Sequence, residues 1–172
     1  MKGSDVVFNI GDKILYGFEG VFVIAEYTDS PLDKNDKRVF YVLRPVNGST
    51  GNKIVTPAEG GSVSVRAVMG SDEAVALVEM IPEIGEVAVQ NERLRREEYR
   101  KVMTRGRSED FVSIIKTVRR RRIEFMAQKR RLSETDTDFE SRAKNCLLSE
   151  LSISLGITYA EADKIVAEKL AI

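Results

Sequence analysis

"VVFNIGDKILYGFEGVFVIAEYT", residues 6–28, decides the fold class of the first half of the chain. Val, Ile, Phe and Tyr crowd two short apolar runs, and Gly11, Gly17 and Gly20 punctuate them. That is the signature of β-strands joined by tight turns. "RVFYVLRPV" (38–46) and "KIVTPA" (53–58) add further strands. The polar "DSPLDKNDK" (29–37) between them reads as a solvated loop, and "NGSTGN" (47–52) as a hairpin-type turn. Four or five strands this close together, with no helix between them, pair as antiparallel neighbours. A small barrel or a rolled sheet best protects their edges.

After "EIGEVAV" (83–89) the period changes to that of helices. "NERLRREEYRKVMTRG" (91–106) is rich in helix formers, with Asn91 placed to cap its start and Gly106 to end it. Ser108 followed by Glu109 and Asp110 predicts the next helix start, with Phe111, Ile115, Val118 and Phe125 recurring at helical spacing. Ser133 with Asp136 predicts a third helix carrying Phe139, Ala143, Cys146, Leu147 and Leu151. "TYAE" (158–161) is a capping box ahead of Ile165, Val166 and Leu170. The predicted organisation is therefore α+β: a β module over 1–70, a linker or bridging helix over 71–90 containing "SDEAVALVEMI" (71–81), and an α-helical bundle over 91–172.

Composition narrows the chemistry. The chain has 172 residues, no histidine and one cysteine. Without histidine the commonest general base is missing, with every Ser-His or Cys-His arrangement, and zinc loses its usual nitrogen ligands. No site with convergent catalytic groups emerges, so a non-enzymatic role without a cofactor, a metal or a small-molecule substrate is expected. No apolar run approaches the roughly 20 residues of a membrane span, and the N-terminus lacks an apolar signal core. A cytoplasmic, monomeric protein that makes no use of a membrane is expected. Gly11, Gly17 and Gly20 lead into a strand with no Gly-Lys-Ser/Thr after them, so they read as turns rather than a phosphate cradle. Asp33 with Asp36 and Asp136 with Asp138 lack the ligand spacing of a calcium loop. Cys146 reads as core.

Charge is distributed unevenly although the total is zero. Residues 1–85 are net −4, 86–131 net +8 and 132–172 net −4. A basic centre in an otherwise acidic chain points to an anionic partner such as nucleic acid. "TVRRRRIEFMAQKRRL" (117–132) holds seven of these cations, and Arg93, Arg95, Arg96, Arg100, Lys101, Arg105 and Arg107 precede it. Four consecutive arginines sweep nearly the whole circumference of a helix, so they cannot share one partner. With Phe111, Ile115, Val118 and Phe125 buried, Lys116, Arg120 and Arg131 fall on the opposite side and Arg121 at the edge. Arg122 falls on the buried stripe, where its stem packs while its head snorkels or pairs with an acid of a neighbouring helix.

"FNIGDKILYGFEGVFVI", "FYVLRPVNGSTGNKIVTPAE" and "VSVRAVMG" together resemble the CarD/CdnL family of bacterial transcription regulators, whose N-terminal module is shared with transcription-repair coupling factor. The points of resemblance are Phe8, Gly11, Asp12, Ile14, Tyr16, Gly20, Val21, Ile24, Tyr41, Leu43, Pro57, Ala58, Glu59, Arg66 and Gly70, and the helical spacing continues it over nearly the whole chain. The resemblance implies a Tudor/SH3-like barrel that docks on the RNA polymerase β subunit. It also implies a helical domain that touches promoter DNA near the upstream edge of the melted bubble and stabilises the open complex. The residues it implies for polymerase docking are Lys37, Arg38, Tyr41, Lys53 and Val55, with Lys53 on the same strand face as Val55. For DNA they are Arg93, Leu94, Arg95, Arg96 and Arg100 of the first long helix, with Lys116, Arg120, Arg121 and Arg131 of the second.

Two departures stand out. The family's wedge tryptophan at the start of the first helix is absent, and Arg93, Leu94, Arg95 and Arg96 occupy its surroundings. "YGFEG" replaces the usual Tyr-Pro-x-His-Gly turn, and Val55 stands where many relatives carry a basic residue. The rival reading is a protein-protein adaptor with no nucleic-acid contact, in which the basic helices bind an acidic protein.

Overall fold

The computed structural model describes residues 8–47 and 52–170. The turn expected over 47–52 falls, for residues 48–51, outside the described residues. Five strands precede five helices: β1 (Lys13–Tyr16), β2 (Gly20–Thr28), β3 (Phe40–Pro45), β4 (Ile54–Pro57), β5 (Val65–Ala67), then α1 (Ser71–Met80), α2 (Arg95–Thr104), α3 (Ser108–Ala127), α4 (Glu134–Leu155) and α5 (Tyr159–Lys169). The sheet is antiparallel throughout, in the order β4-β3-β2-β1-β5.

Side chains alternate across the sheet as a pleat requires. Ile14, Phe22, Ile24, Tyr41 and Leu43 turn inward to one cluster, which Ile54 of β4 and Val65 of β5 also join. Both edge strands therefore reach the same interior, and the sheet is rolled. The expected closed barrel does not form: among the described residues β4 pairs only with β3, and β5 only with β1. The edge strands have four and three residues, which leaves little length to pair once the stagger that closure demands is taken up.

Leu15 and Val21 point the other way, into the helical core with Ile81, Tyr99, Phe111 and Leu147. The central member is α4, which packs against α1, α2, α3, α5 and β2. Its approach to the β1–β2 turn is close. A Cβ on Gly20 would lie 2.7 Å from the Asn145 Nδ2 end of an α4 side chain, and Gly20 sits at φ +123°, a backbone conformation that favours glycine. An ion pair between a half-buried arginine and a buried glutamate ties the two parts further. Glu150 of α4, fully buried, accepts from Arg66 Nη1 at 2.6 Å and Nη2 at 2.9 Å, from the Ser108 hydroxyl at 2.8 Å and from the Met69 amide at 2.9 Å. Arg66 Nε donates to the Gly106 carbonyl at 2.7 Å.

The helix boundaries follow the capping chemistry with one correction. Ser133 accepts from the Asp136 amide, and Thr158 forms the capping box with Glu161. Asn91 caps a 3-10 turn, 92–94, that leads into α2, and Gly106 ends α2 at φ +67°. Ser108 is not a cap: it lies inside α3, preceded by Arg107 at the cap position, and spends its hydroxyl on Glu150. Among the described residues, no helix is long and apolar enough to cross a membrane.

Candidate nucleic-acid interface

The buried face of α3 ends early. Phe111, Ile115 and Val118 are buried, and from Arg119 onward no residue of the helix is. The four arginines at this transition meet four different surroundings. Arg119 is half-buried. Arg120 is exposed and pairs with Glu86 of the linker and Glu124 of its own helix. Arg121 reaches Asp136 at 3.3 Å and Glu92 at 3.2 Å. Arg122 pairs with Glu140 of α4, the acid of a neighbouring helix that its phase predicts. Lys116 does not project into solvent as expected for a phosphate contact. Its ammonium donates to the Pro82 and Ile84 carbonyls at 2.8 and 2.6 Å, holding the linker against α3. Val87 donates to Thr117 Oγ1 beside it.

Arg120, Arg121 and Arg122 are thus neutralised from within, by acids whose pairing no spacing along the chain shows. Asp136 and Glu140 lie one turn apart on α4 and are both buried. Four residues apart on a helix whose stripe includes Phe139 and Ala143, they carried a legible signal of acids facing inward.

At the start of α2 the arginines separate by helical phase. Arg95, expected at the DNA surface, is 5% exposed. It sits beside Asp136, 3.4 Å from Nη1, and against Glu92. Its phase puts it on the stripe of Tyr99, Val102 and Met103, where charge is tolerated only when paired. Tyr99 donates its hydroxyl to Asp136 at 3.0 Å. Burial, with that carboxylate beside it, holds the phenol well above its ordinary pKa. Arg93, Arg96 and Arg100 are exposed along one flank and make no ion pair among the described residues; Leu94 beside them is 45% exposed.

The far end of α3 lies near that flank, because Glu92 and Arg121 touch. Phe125 is covered by two guanidiniums, Arg121 at 4.7 Å and Arg130 at 4.5 Å from the ring centre. Beyond it Lys129 and Arg131 are exposed, again without an ion pair among the described residues. Arg93, Arg96 and Arg100 along the α2 flank, and Lys129 and Arg131 past the end of α3, are thus exposed cations without carboxylate partners among the described residues.

On the sheet, Tyr41 is 2% exposed and its hydroxyl accepts from the Phe8 amide at 3.1 Å. It is a core residue with no face for a partner, which corrects its expected docking role. Lys37, Arg38 and Lys53 are exposed and Val55 half-buried. Arg38 forks onto Asp36, lies over the Phe40 ring at 5.7 Å, and approaches Gly60 just past β4. The Arg38 guanidinium in turn holds the Asp36 carboxyl below its ordinary range.

Compared with known proteins, the chain matches no family model, and no curated protein matches it.

Proposed function

We propose that the chain is a cytoplasmic transcription regulator of the CarD/CdnL kind. The rolled sheet acts as a Tudor/SH3-like docking module for the RNA polymerase β subunit. The end of the helical unit touches promoter DNA at the upstream edge of the bubble and stabilises the open complex. The observation that carries this reading is the flank of Arg93, Arg96 and Arg100, which stays exposed and without carboxylate partners among the described residues, in a chain that neutralises most of its other central cations internally. Such a flank suits phosphate contacts, which fix position without reading sequence. Polymerase docking then supplies the local concentration that a few contacts need. Val55 in the edge strand β4, Lys53 just before it, and Lys37 and Arg38 ahead of β3 are the docking residues of this reading.

The test is binding of the full chain to purified bacterial RNA polymerase and, separately, to a promoter fragment across a salt series. Replacing Arg93, Arg96 and Arg100 together with Ala should weaken DNA binding about tenfold or more at low salt. The salt slope should flatten by about 0.9 for each phosphate that is no longer neutralised, with polymerase binding unchanged. Arg38→Glu with Lys53→Glu should do the reverse. Polymerase binding without DNA affinity at any salt favours the adaptor instead.

A further inference from the structure

Most acids that neutralise the central arginines do so from beneath or beside them, but Glu92 lies on top. Its side chain is 68% exposed, yet its carboxylate touches Arg95 Nη2 and both terminal nitrogens of Arg121, the latter at 3.2 and 3.4 Å. Below it Asp136, fully buried, holds Arg95 Nη1 at 3.4 Å and Arg121 Nε at 3.3 Å, and accepts from the Tyr99 and Ser133 hydroxyls at 3.0 and 2.9 Å. The cover is imperfect. Arg95 Nε and Nη2 are shut off from solvent and, although Glu92 abuts Nη2, neither has a hydrogen-bond partner among the described residues.

We propose that the position of the Glu92 carboxylate is a phosphate site, and that Glu92 is its displaceable cover. The two guanidiniums are fixed from within by Asp136 and offer planar donors to a bidentate oxyanion. With Glu92 in place, two guanidiniums face two carboxylates and the site is neutral. With Glu92 turned out to solvent it carries one net positive charge, the complement of a phosphodiester. Arg93 and Arg96, exposed around it, supply the attracting field. Burial of Arg121, whose side chain is 13% exposed, strengthens the contact relative to one made in open water. That the phosphate belongs to a nucleic-acid backbone rests on the DNA-contact reading above; free phosphate shares the chemistry.

The experiment compares wild type, Glu92→Gln and Glu97→Gln as full chains. Glu97 is exposed on α2 and makes no ion pair among the described residues, so it controls for net charge. The probes are a duplex DNA fragment and inorganic phosphate. Glu92→Gln should bind the duplex severalfold more tightly than wild type, with a salt slope steeper by about one phosphate contact. Glu97→Gln should gain much less. Inorganic phosphate should raise the melting temperature of Glu92→Gln more than that of wild type, and adding Arg121→Lys, which keeps the charge but loses the fork, should remove both gains. Equal gains from Glu92→Gln and Glu97→Gln, or gains that survive Arg121→Lys, overturn the site. If the duplex binds wild type and Glu92→Gln alike, the cover is refuted and the DNA reading stands. If phosphate stabilises Glu92→Gln while no variant binds DNA, the site stands and the DNA reading falls.

Discussion

Arg95 and Arg120 carry the same charge on neighbouring helices, and their surroundings make them opposite in energetic weight. Arg120 is exposed between two acids that water also reaches, and exposed pairs contribute about 0–1 kcal/mol. Arg95 is buried, and Asp136 beneath it is its only partner without contact to solvent among the described residues. Removing one member of such a pair strands the other, at a cost of about 3–5 kcal/mol. Asp136→Ala should therefore lower unfolding stability by about that amount in chemical denaturation, since it also orphans the Tyr99 hydroxyl. Arg120→Ala should cost under about 1 kcal/mol. A comparable loss from both would mean that the charges at this end are screened alike. Arg122 follows its predicted pairing: its phase put it on the packed stripe, and Glu140 meets it there.

At the scale of elements, the entry to α2 matters most, because the chain reaches it through a 3-10 turn rather than a clean helical start. The turn leaves Leu94 half out of the surface and sends Arg95 inward. A large aromatic can therefore replace Leu94 without entering the core, whereas Arg95→Trp would force an indole against Asp136. Leu94→Trp should keep the melting temperature within a few degrees of wild type. If the proposed contact holds, it should also lengthen open-complex lifetime on a weak promoter and reduce its sensitivity to salt, because an apolar wedge does not depend on counterion release. An unchanged lifetime would show that this turn faces away from the bubble. Much at this scale was legible in sequence, because it is local: the Ser133 and Thr158 caps, Gly106 and the apolar stripe of α3 each depend on residues within a turn or two. Two things were not. Closure of the sheet depends on how far edge strands of four and three residues reach across the roll. The partners of Arg120 and Arg121 depend on which acids α4 and the linker bring to them, which no spacing along α3 encodes. Ser108 failed for a related reason, since a distant carboxylate, Glu150, competed for the hydroxyl that a cap would use.

For the molecule as a whole, the sheet keeps an inner cluster of its own, but its other face is built into the helical core. Leu15 and Val21 enter the helical cluster, and Arg66 of β5 is locked by Glu150 from the middle of α4. Cys146 lies one turn before that glutamate, fully buried, and burial pushes its thiol up to about 12. In the unfolded chain the same thiol titrates near about 8.5. Because the folded pKa is the higher one, the fold favours the neutral thiol. The contribution is complete below about pH 8.5 and is lost as pH rises towards about 12. At pH 8 the native thiol should be inert to an aromatic disulfide reagent, and labelling should wait for opening of α4. If sheet and helices open together, Arg66→Ala, a change in the sheet, should speed labelling of a cysteine in the helical core. The extra rate should match the loss of stability measured by denaturant, because the open population sets the rate when reclosing is fast. Faster labelling with unchanged global stability would instead show α4 opening by itself. The two parts would then be energetically separable.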